Sequence, residues 1–343
     1  MIIFLDESKS KPTLIPFSHT RHVADLRVGI LTIRQKWALL LPKAFFVNKS
    51  VAGTLNIDAS IIPTLDNYKA ILNASANDEG NNLPVDIKCL SWPWHISQYN
   101  DWAIRKDFEI ITRGKISEPI PPSVQAFGEE NFFIEKGAIL RHSIINAENG
   151  PVYIGKNAEI MEGSLIRGPV AICESAVLKM GAKIYAGTTI GPYSVAGGEI
   201  KNSMLMGYSN KAHDGYLGDS VIGEWCNLGA GTSNSNLKNT AGNVRYKLSE
   251  KLECIEVGTK AGLLMGDYSR SAINTSFNTG SVVGVCCNIF SESNPPVFVP
   301  DFSWGNEIYI LEKAFRDIDN WKKMKGQAIT EEEKNILQQL YNQ

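Results

Sequence analysis

His213 stands in the segment Lys211-Ala-His-Asp-Gly-Tyr-Leu-Gly-Asp219, closely followed by Leu228-Gly-Ala-Gly-Thr-Ser-Asn-Ser-Asn236. Imidazole takes up and releases a proton near neutral pH. Glycine runs let backbone N–H groups approach a reacting atom closely enough to stabilise an oxyanion, which makes Gly229, Ala230 and Gly231 the donors to consider. On its own, a histidine flanked by Lys211 and Asp214 reads equally as a solvated loop residue. The stretch Thr20 to Trp37 carries Arg21, Arg27, Arg34 and Lys36. Such cations suit phosphate oxygens, and they also suit the polar face of a basic amphipathic helix packed on a sheet. The cysteines Cys89, Cys173, Cys226, Cys254, Cys286 and Cys287 include no C-x-x-C pair, so neither a zinc knuckle nor a disulfide framework is suggested.

The element that must carry His213 is legible from a period. A branched aliphatic residue recurs at every sixth position from Ile154 through Ile160, Ile166, Ile172, Leu178 and Ile184 to Ile190, with small residues such as Ala158, Ser164 and Ala176 four positions later. This hexapeptide period belongs to a parallel β-helix, in which each hexad is one short strand and one turn, three hexads close a coil, and the aliphatic residue points inward. Cys173 and Cys226 fall at hexad positions and read as small packing residues. His142 lies at the entry to the solenoid and His95 among aromatic residues, so neither reads as a functional histidine. The phase breaks after Val195 and resumes at Ile222, Leu228, Val257 and Leu263, which predicts insertions at about 199–216 and 234–254. Loops thrown out from regular coils are where function and subunit contacts are expected.

Three segments follow. Residues 1–120 read as α/β: short aliphatic runs (Ile2–Leu5, Leu39–Leu41, Ile110–Ile111) alternate with roughly helical spacing at Val23, Leu26, Ile30 and Ile33, and Asn73–Asn82 reads as a surface loop. Pro119-Ile-Pro-Pro122 marks the boundary to a solenoid over 121–293. After Asn294-Pro-Pro296, residues 294–343 read as two helices, the second opened by a Thr330–Glu333 capping box, placed to cap the solenoid end or to pack on a neighbouring subunit. The composition is 43% hydrophobic and 20% charged over 343 residues, with a net charge of −2. This is ordinary for a soluble protein and argues against a general nucleic-acid binder. There is no apolar run long enough to span a membrane and no basic leader, so the cytoplasm is the expected location.

The His213 segment and the Gly-Ala-Gly-Thr segment after it resemble the acetyltransferase half of the bifunctional N-acetylglucosamine-1-phosphate uridyltransferase/glucosamine-1-phosphate acetyltransferase family. That family carries Lys-Ala-Gly-His-x-x-Tyr-Leu-Gly-Asp and then Gly-Ala-Gly-Thr-x-x-x-Asn. The resemblance implies a left-handed β-helix assembled as a homotrimer, with sites between subunits and acetyl-CoA as co-substrate. It implies His213 as general base, and Tyr216, Asn227, Asn236 and Lys211 as contacts to the sugar phosphate or acyl donor. The family's Arg and Lys for the sugar phosphate are not matched at Val195–Gly198 or Asn202–Gly207, leaving Arg167, Lys201, Lys211 and Arg245 as candidates by charge.

The N-terminal stretch lacks the Gly-rich loop of a complete sugar-nucleotide pyrophosphorylase. It looks like the opening of a shortened bacterial group of sugar nucleotidyltransferase-like proteins fused to hexapeptide repeats. That resemblance implies a reduced nucleotidyltransferase-like domain. In it, Arg21, Arg27 and Lys36, with Arg34, take the place of the lost loop as contacts to a nucleotide such as UTP or dTTP, and Asp6 or Asp25 would hold Mg²⁺. The leading expectation is a sugar-nucleotide pathway transferase that moves an acyl group from acyl-CoA to an amino-sugar phosphate at the β-helix. The alternatives are a sugar-1-phosphate nucleotidyltransferase whose β-helix only oligomerises, and a non-enzymatic sugar-nucleotide-binding scaffold.

Overall fold

Residues 1–76, 87–290 and 294–343 are described by a computed structural model. The hexads build a three-faced parallel β-solenoid. Its first sheet has nine strands, from Phe132–Ile134 to Phe298–Val299, and its second has ten, from Ile139–Leu140 to Glu307–Ile308. The third has six, from Gln125–Phe127 to Tyr216–Gly218, and Ser233–Asn234 paired with Ser276–Phe277 continues that face. Inside, Ile154, Ile160, Ile166, Ile172, Leu178, Ile184 and Ile190 form one dry column system, each no more than 3% exposed. Burying a branched aliphatic of that size is worth roughly 1.5–3 kcal/mol, and stacked coils repeat that gain layer by layer.

The register explains where the period was lost. Val152 pairs with Val170, 18 residues on, but Lys183 pairs with Glu199 after 16 and Val195 with Asn210 after 15. The expected insertion at 199–216 is therefore corrected: those residues are shortened coils, containing the strands Glu199–Lys201, Met204–Gly207, Asn210–Lys211 and Tyr216–Gly218. The second insertion is real, since Val221 pairs with Leu264. It contains an antiparallel hairpin of Val244–Tyr246 with Ile255–Gly258. Tyr246 is fully buried and stacks on Trp94 at 5.4 Å, so this insertion clamps the N-terminal region to the solenoid.

In the N-terminal region a three-stranded parallel sheet, Phe45–Val47, Ile2–Asp6 and Leu55–Asp58, packs with helices α1 (Ile33–Leu40), α2 (Tyr68–Ala76), α3 (His95–Gln98) and α4 (Asn100–Thr112). Several local expectations change here. The spacing at Val23–Ile33 makes one 3-10 turn (Val23–Asp25) and a short hairpin, and α1 begins only at Ile33 behind a Thr32–Gln35 capping box. Leu39 belongs to α1, and Ile110–Ile111 to α4, whose inward face is Ala103, Ile104, Asp107 and Ile111. Residues 73–76 of the expected loop finish α2, and the rest of it lies outside the described residues.

This region lies on the outer face of the first sheet. Met204, Met206, Val221, Leu264 and Val282 from the coils share one core with Ile3, Leu26, Trp37 and Leu90. Helices α5 (Leu311–Lys323) and α6 (Glu331–Tyr341) do not close the solenoid end. They lie along its flank over Trp225, Tyr268 and Phe302. The second sheet instead ends in the antiparallel hairpin Ser303–Trp304 with Glu307–Ile308, beyond the Pro295-Pro296 break expected to end the solenoid. The Thr330–Glu333 capping box forms at the start of α6.

Candidate active site at a solenoid corner

The second sheet contributes Asn210–Lys211 and the third contributes Tyr216–Gly218, so residues 212–215 turn the corner between two faces. Stacking explains the sequence there. A Cβ on Gly197, one coil below, would lie 2.4 Å from the Ala212 carbonyl oxygen, and one on Gly198, at φ +70°, would lie 2.9 Å from that of His213. Only glycines let the corner below approach so closely. From the coil above, the Gly231 N–H donates to the Asp214 carbonyl at 3.1 Å. The His213 side chain projects from this layered corner into solvent, exposed and with no hydrogen bond or ion pair to the described residues.

Beside it, Tyr216 lies on the outer face of the third sheet, its hydroxyl accepting from Asn236 Nδ2 at 3.1 Å. The same amide donates to Asp219, whose other carboxylate oxygen accepts from Asn202 at 2.7 Å. Burial first, then the nearby Asp219 and Glu199 carboxylates, push the Tyr216 phenol above its ordinary pKa and keep it a neutral hydrogen-bonding group. Tyr216 and Asn236 are thus brought together. Asn227 is on the second face instead, half-buried, with Asn210 Nδ2 3.5 Å away.

The register also gathers cations on one face: Lys201, a candidate by charge, and Lys183, which hexad counting missed. Lys183 pairs with Glu199, Glu199 pairs with Tyr216, and Lys201 pairs with Gly218, so the exposed Lys183 and Lys201 stand on the same face as Tyr216. Arg167 joins them two coils below Lys201, and a groove of about 290 Å³ is lined by Leu165, Arg167, Lys183 and Tyr185. The signal for Lys183 was lost because the coil after it is 16 residues long. Arg245 is far out on the inserted hairpin, 3.7 Å from Glu256.

Other expected site residues are placed differently. Lys211 is not on the surface: it is 1% exposed and points into the solenoid. The Gly229 N–H donates to Ser271, at 3.1 Å to its carbonyl and 3.2 Å to its hydroxyl, and the Gly231 N–H is taken by Asp214. Those two amides are ladder bonds rather than an open oxyanion hole, which leaves Ala230 alone of the three.

The N-terminal cations are likewise engaged. Arg21 is paired with Asp267 and with Glu224 at 2.9 Å, both on the solenoid. Arg27, 9% exposed, donates to the Met206 and Ile30 carbonyls. Lys36, fully buried, is paired with Asp107, and Arg34 grips Asp25 at 2.6 and 2.9 Å. Arg21 and Arg27 tie the N-terminal region to the coils, whereas Lys36 and Arg34 are paired inside it, so the expectation that these cations stand free for a nucleotide is corrected. Of the two carboxylates expected to hold Mg²⁺, Asp25 is paired with Arg34 and Asp6 accepts the Ser8 N–H at 2.9 Å; among the described residues there is no group of three His, Cys, Asp or Glu side chains that could hold a metal by themselves. Among the same residues no helix is long and apolar enough to cross a membrane.

A family described as sugar nucleotidyl transferase matches residues 2–52. The chain is similar to the bifunctional protein GlmU of Methanocaldococcus jannaschii, 37% identical over 89 residues, which make up 26% of this chain and 21% of that protein. It is 30% identical over 199 residues to the bifunctional sugar-1-phosphate nucleotidylyltransferase/acetyltransferase of Sulfurisphaera tokodaii, 58% of this chain and 43% of that protein. Among solved structures, the Arabidopsis UDP-N-acetylglucosamine acyltransferase aligns at 16% identity over 65% of this chain and 90% of that one, with a TM-score of 0.21. The matches span less than half the length of these curated relatives.

Proposed function

We propose that the chain is a sugar-nucleotide pathway transferase that carries an acyl group from acyl-CoA to the amine of an amino-sugar phosphate at the His213 corner. The observation that carries this reading is a solvent-facing, unpaired imidazole on a tightly stacked corner, beside Tyr216 and on the face that presents Lys183 and Lys201. His213 would take a proton from the amino group as its nitrogen attacks the thioester carbonyl. The C–S bond then breaks, and the protonated imidazole returns its proton to the leaving thiolate, giving an amide and free CoA. Lys183 and Lys201 are the cations to hold the sugar phosphate, while Tyr216 and Asn236 orient the acceptor or the acyl donor. Exposed Phe127, Ile144 and Leu165 on the same face offer the apolar surface a homotrimer would use, as the relatives' resemblance implies.

The N-terminal domain is read as a reduced scaffold, because Arg21, Arg27 and Lys36 are spent on internal contacts. The test follows free thiol and pyrophosphate in parallel with glucosamine 1-phosphate, acetyl-CoA, UTP and dTTP. Thiol release that depends on the amino sugar supports the reading. Pyrophosphate release without thiol overturns it in favour of nucleotidyl transfer, and silence in both channels overturns it in favour of a binding scaffold.

A further inference from the structure

Lys211 occupies a position that the solenoid otherwise reserves for aliphatic or small residues. Its inward column runs from Ile160 and Leu178 to Ala196 below it, with Leu228 in the next layer. Lys211 is 1% exposed, and among the described residues it has no carboxylate within ion-pair distance. Its Nζ reaches the carbonyl oxygens of Gly197 at 3.3 Å and His213 at 2.5 Å. One ammonium therefore ties the corner that carries His213 to the corner directly beneath it. The small Ala196 leaves the room for it.

From this geometry we infer that Lys211 is a positioning residue: it acts as an internal strut that fixes the His213 backbone and so aims the imidazole, without touching substrate. This rests on the acyl-transfer reading for its kinetic consequence but not for its structural one. A lysine in an aliphatic layer is costly, because an ammonium loses its hydration there and carbonyls replace only part of it. Burial accordingly lowers the Lys211 pKa to about 8, with Asp214 opposing. A residue that lowers stability yet organises a reactive loop is the usual signature of a functional compromise.

The experiment compares wild type with Lys211→Met, which keeps the volume and removes the donors, and Lys211→Gln, which retains one shorter donor. The readouts are melting temperature, kcat and KM for acetyl-CoA, and the His213 imidazole resonance, assigned by its loss in His213→Ala. Expected for Lys211→Met are a melting temperature equal to or above wild type, an unchanged KM for acetyl-CoA, and a kcat lowered by about 10- to 100-fold, the scale of a displaced catalytic group. The His213 resonance should broaden or split, with Lys211→Gln in between. An unaltered resonance with kcat within twofold of wild type overturns the proposal. So does failure of both variants to fold, which makes Lys211 a packing residue. If the wild type releases no thiol with any amino sugar, the acyl-transfer reading fails while the resonance still decides the strut.

Discussion

The N-terminal domain and the His213 corner each hide a lysine, and the two are handled in opposite ways. Lys36 is fully buried against Asp107, whose carboxylate also accepts the Ile30 and Leu31 N–H groups. Lys211 is just as hidden but is held only by carbonyls. The first arrangement is a charge-matched pair inside the N-terminal region, joining α1 to α4. The second leaves a net charge under a loop whose imidazole is open to solvent. The difference teaches that charge in the N-terminal domain is spent on architecture, whereas polarity at the corner is left available for chemistry.

The sharpest way to break that contrast is at His213. His213→Ala should lower amino-sugar-dependent thiol release by about 10²–10⁴-fold, the usual general-base contribution, with an unchanged melting temperature because the side chain is exposed. A melting temperature that fell with the rate would place His213 on the structural side. Asp107→Ala should do the reverse: it strands the Lys36 ammonium and two amides, for a loss of about 3–5 kcal/mol in urea unfolding. If its stability matched wild type, the claim that the N-terminal charges are structural would fail.

Lys183→Ala and Lys201→Ala sharpen the picture of the corner. Each should raise KM for a phosphorylated acceptor about tenfold, the value of one charge-assisted contact, while leaving urea midpoints unchanged. Equal effects on an unphosphorylated amino sugar would show that neither reads phosphate. The smallest effect is the pH dependence of stability. Because the Lys211 pKa falls to about 8 in the folded chain, the unfolded state binds more protons between there and the ordinary lysine value. Stability due to Lys211 therefore rises with pH across that window. Lys211→Met should be at least as stable as wild type at pH 7, and any advantage should shrink toward pH 10. A gap that widened with pH would contradict the burial of an unpaired ammonium.

Much of the fold was readable because the hexad period is local. Ile154 through Ile190 point inward for the same reason at every coil, and the Thr330–Glu333 capping box needs only its own turn. His213 and Tyr216 were singled out by the resemblance of their segment to a known motif, and the structure sets them three residues apart across one corner. The register after Val195 was not, since coils of 15 and 16 residues keep the ladder by tightening corners, which hexad counting reads as an interruption. Lys183 was missed on that account. Lys211 was misplaced because a lysine beside a catalytic-looking histidine reads as a surface contact unless its strand's inward column is known.

What the sequence alone determined is the repeating geometry: a three-hexad coil, its apolar interior, and a corner bearing His213, all set by interactions within a few residues of one another. The tertiary structure decided which charges remain free. Arg21, Arg27 and Lys36 look identical in the sequence to phosphate-binding cations, and only their docking against Asp267, Met206 and Asp107, far along the chain, shows them occupied. The physical reason is that a side chain's type is local, whereas its desolvation and its partner depend on which distant surface covers it.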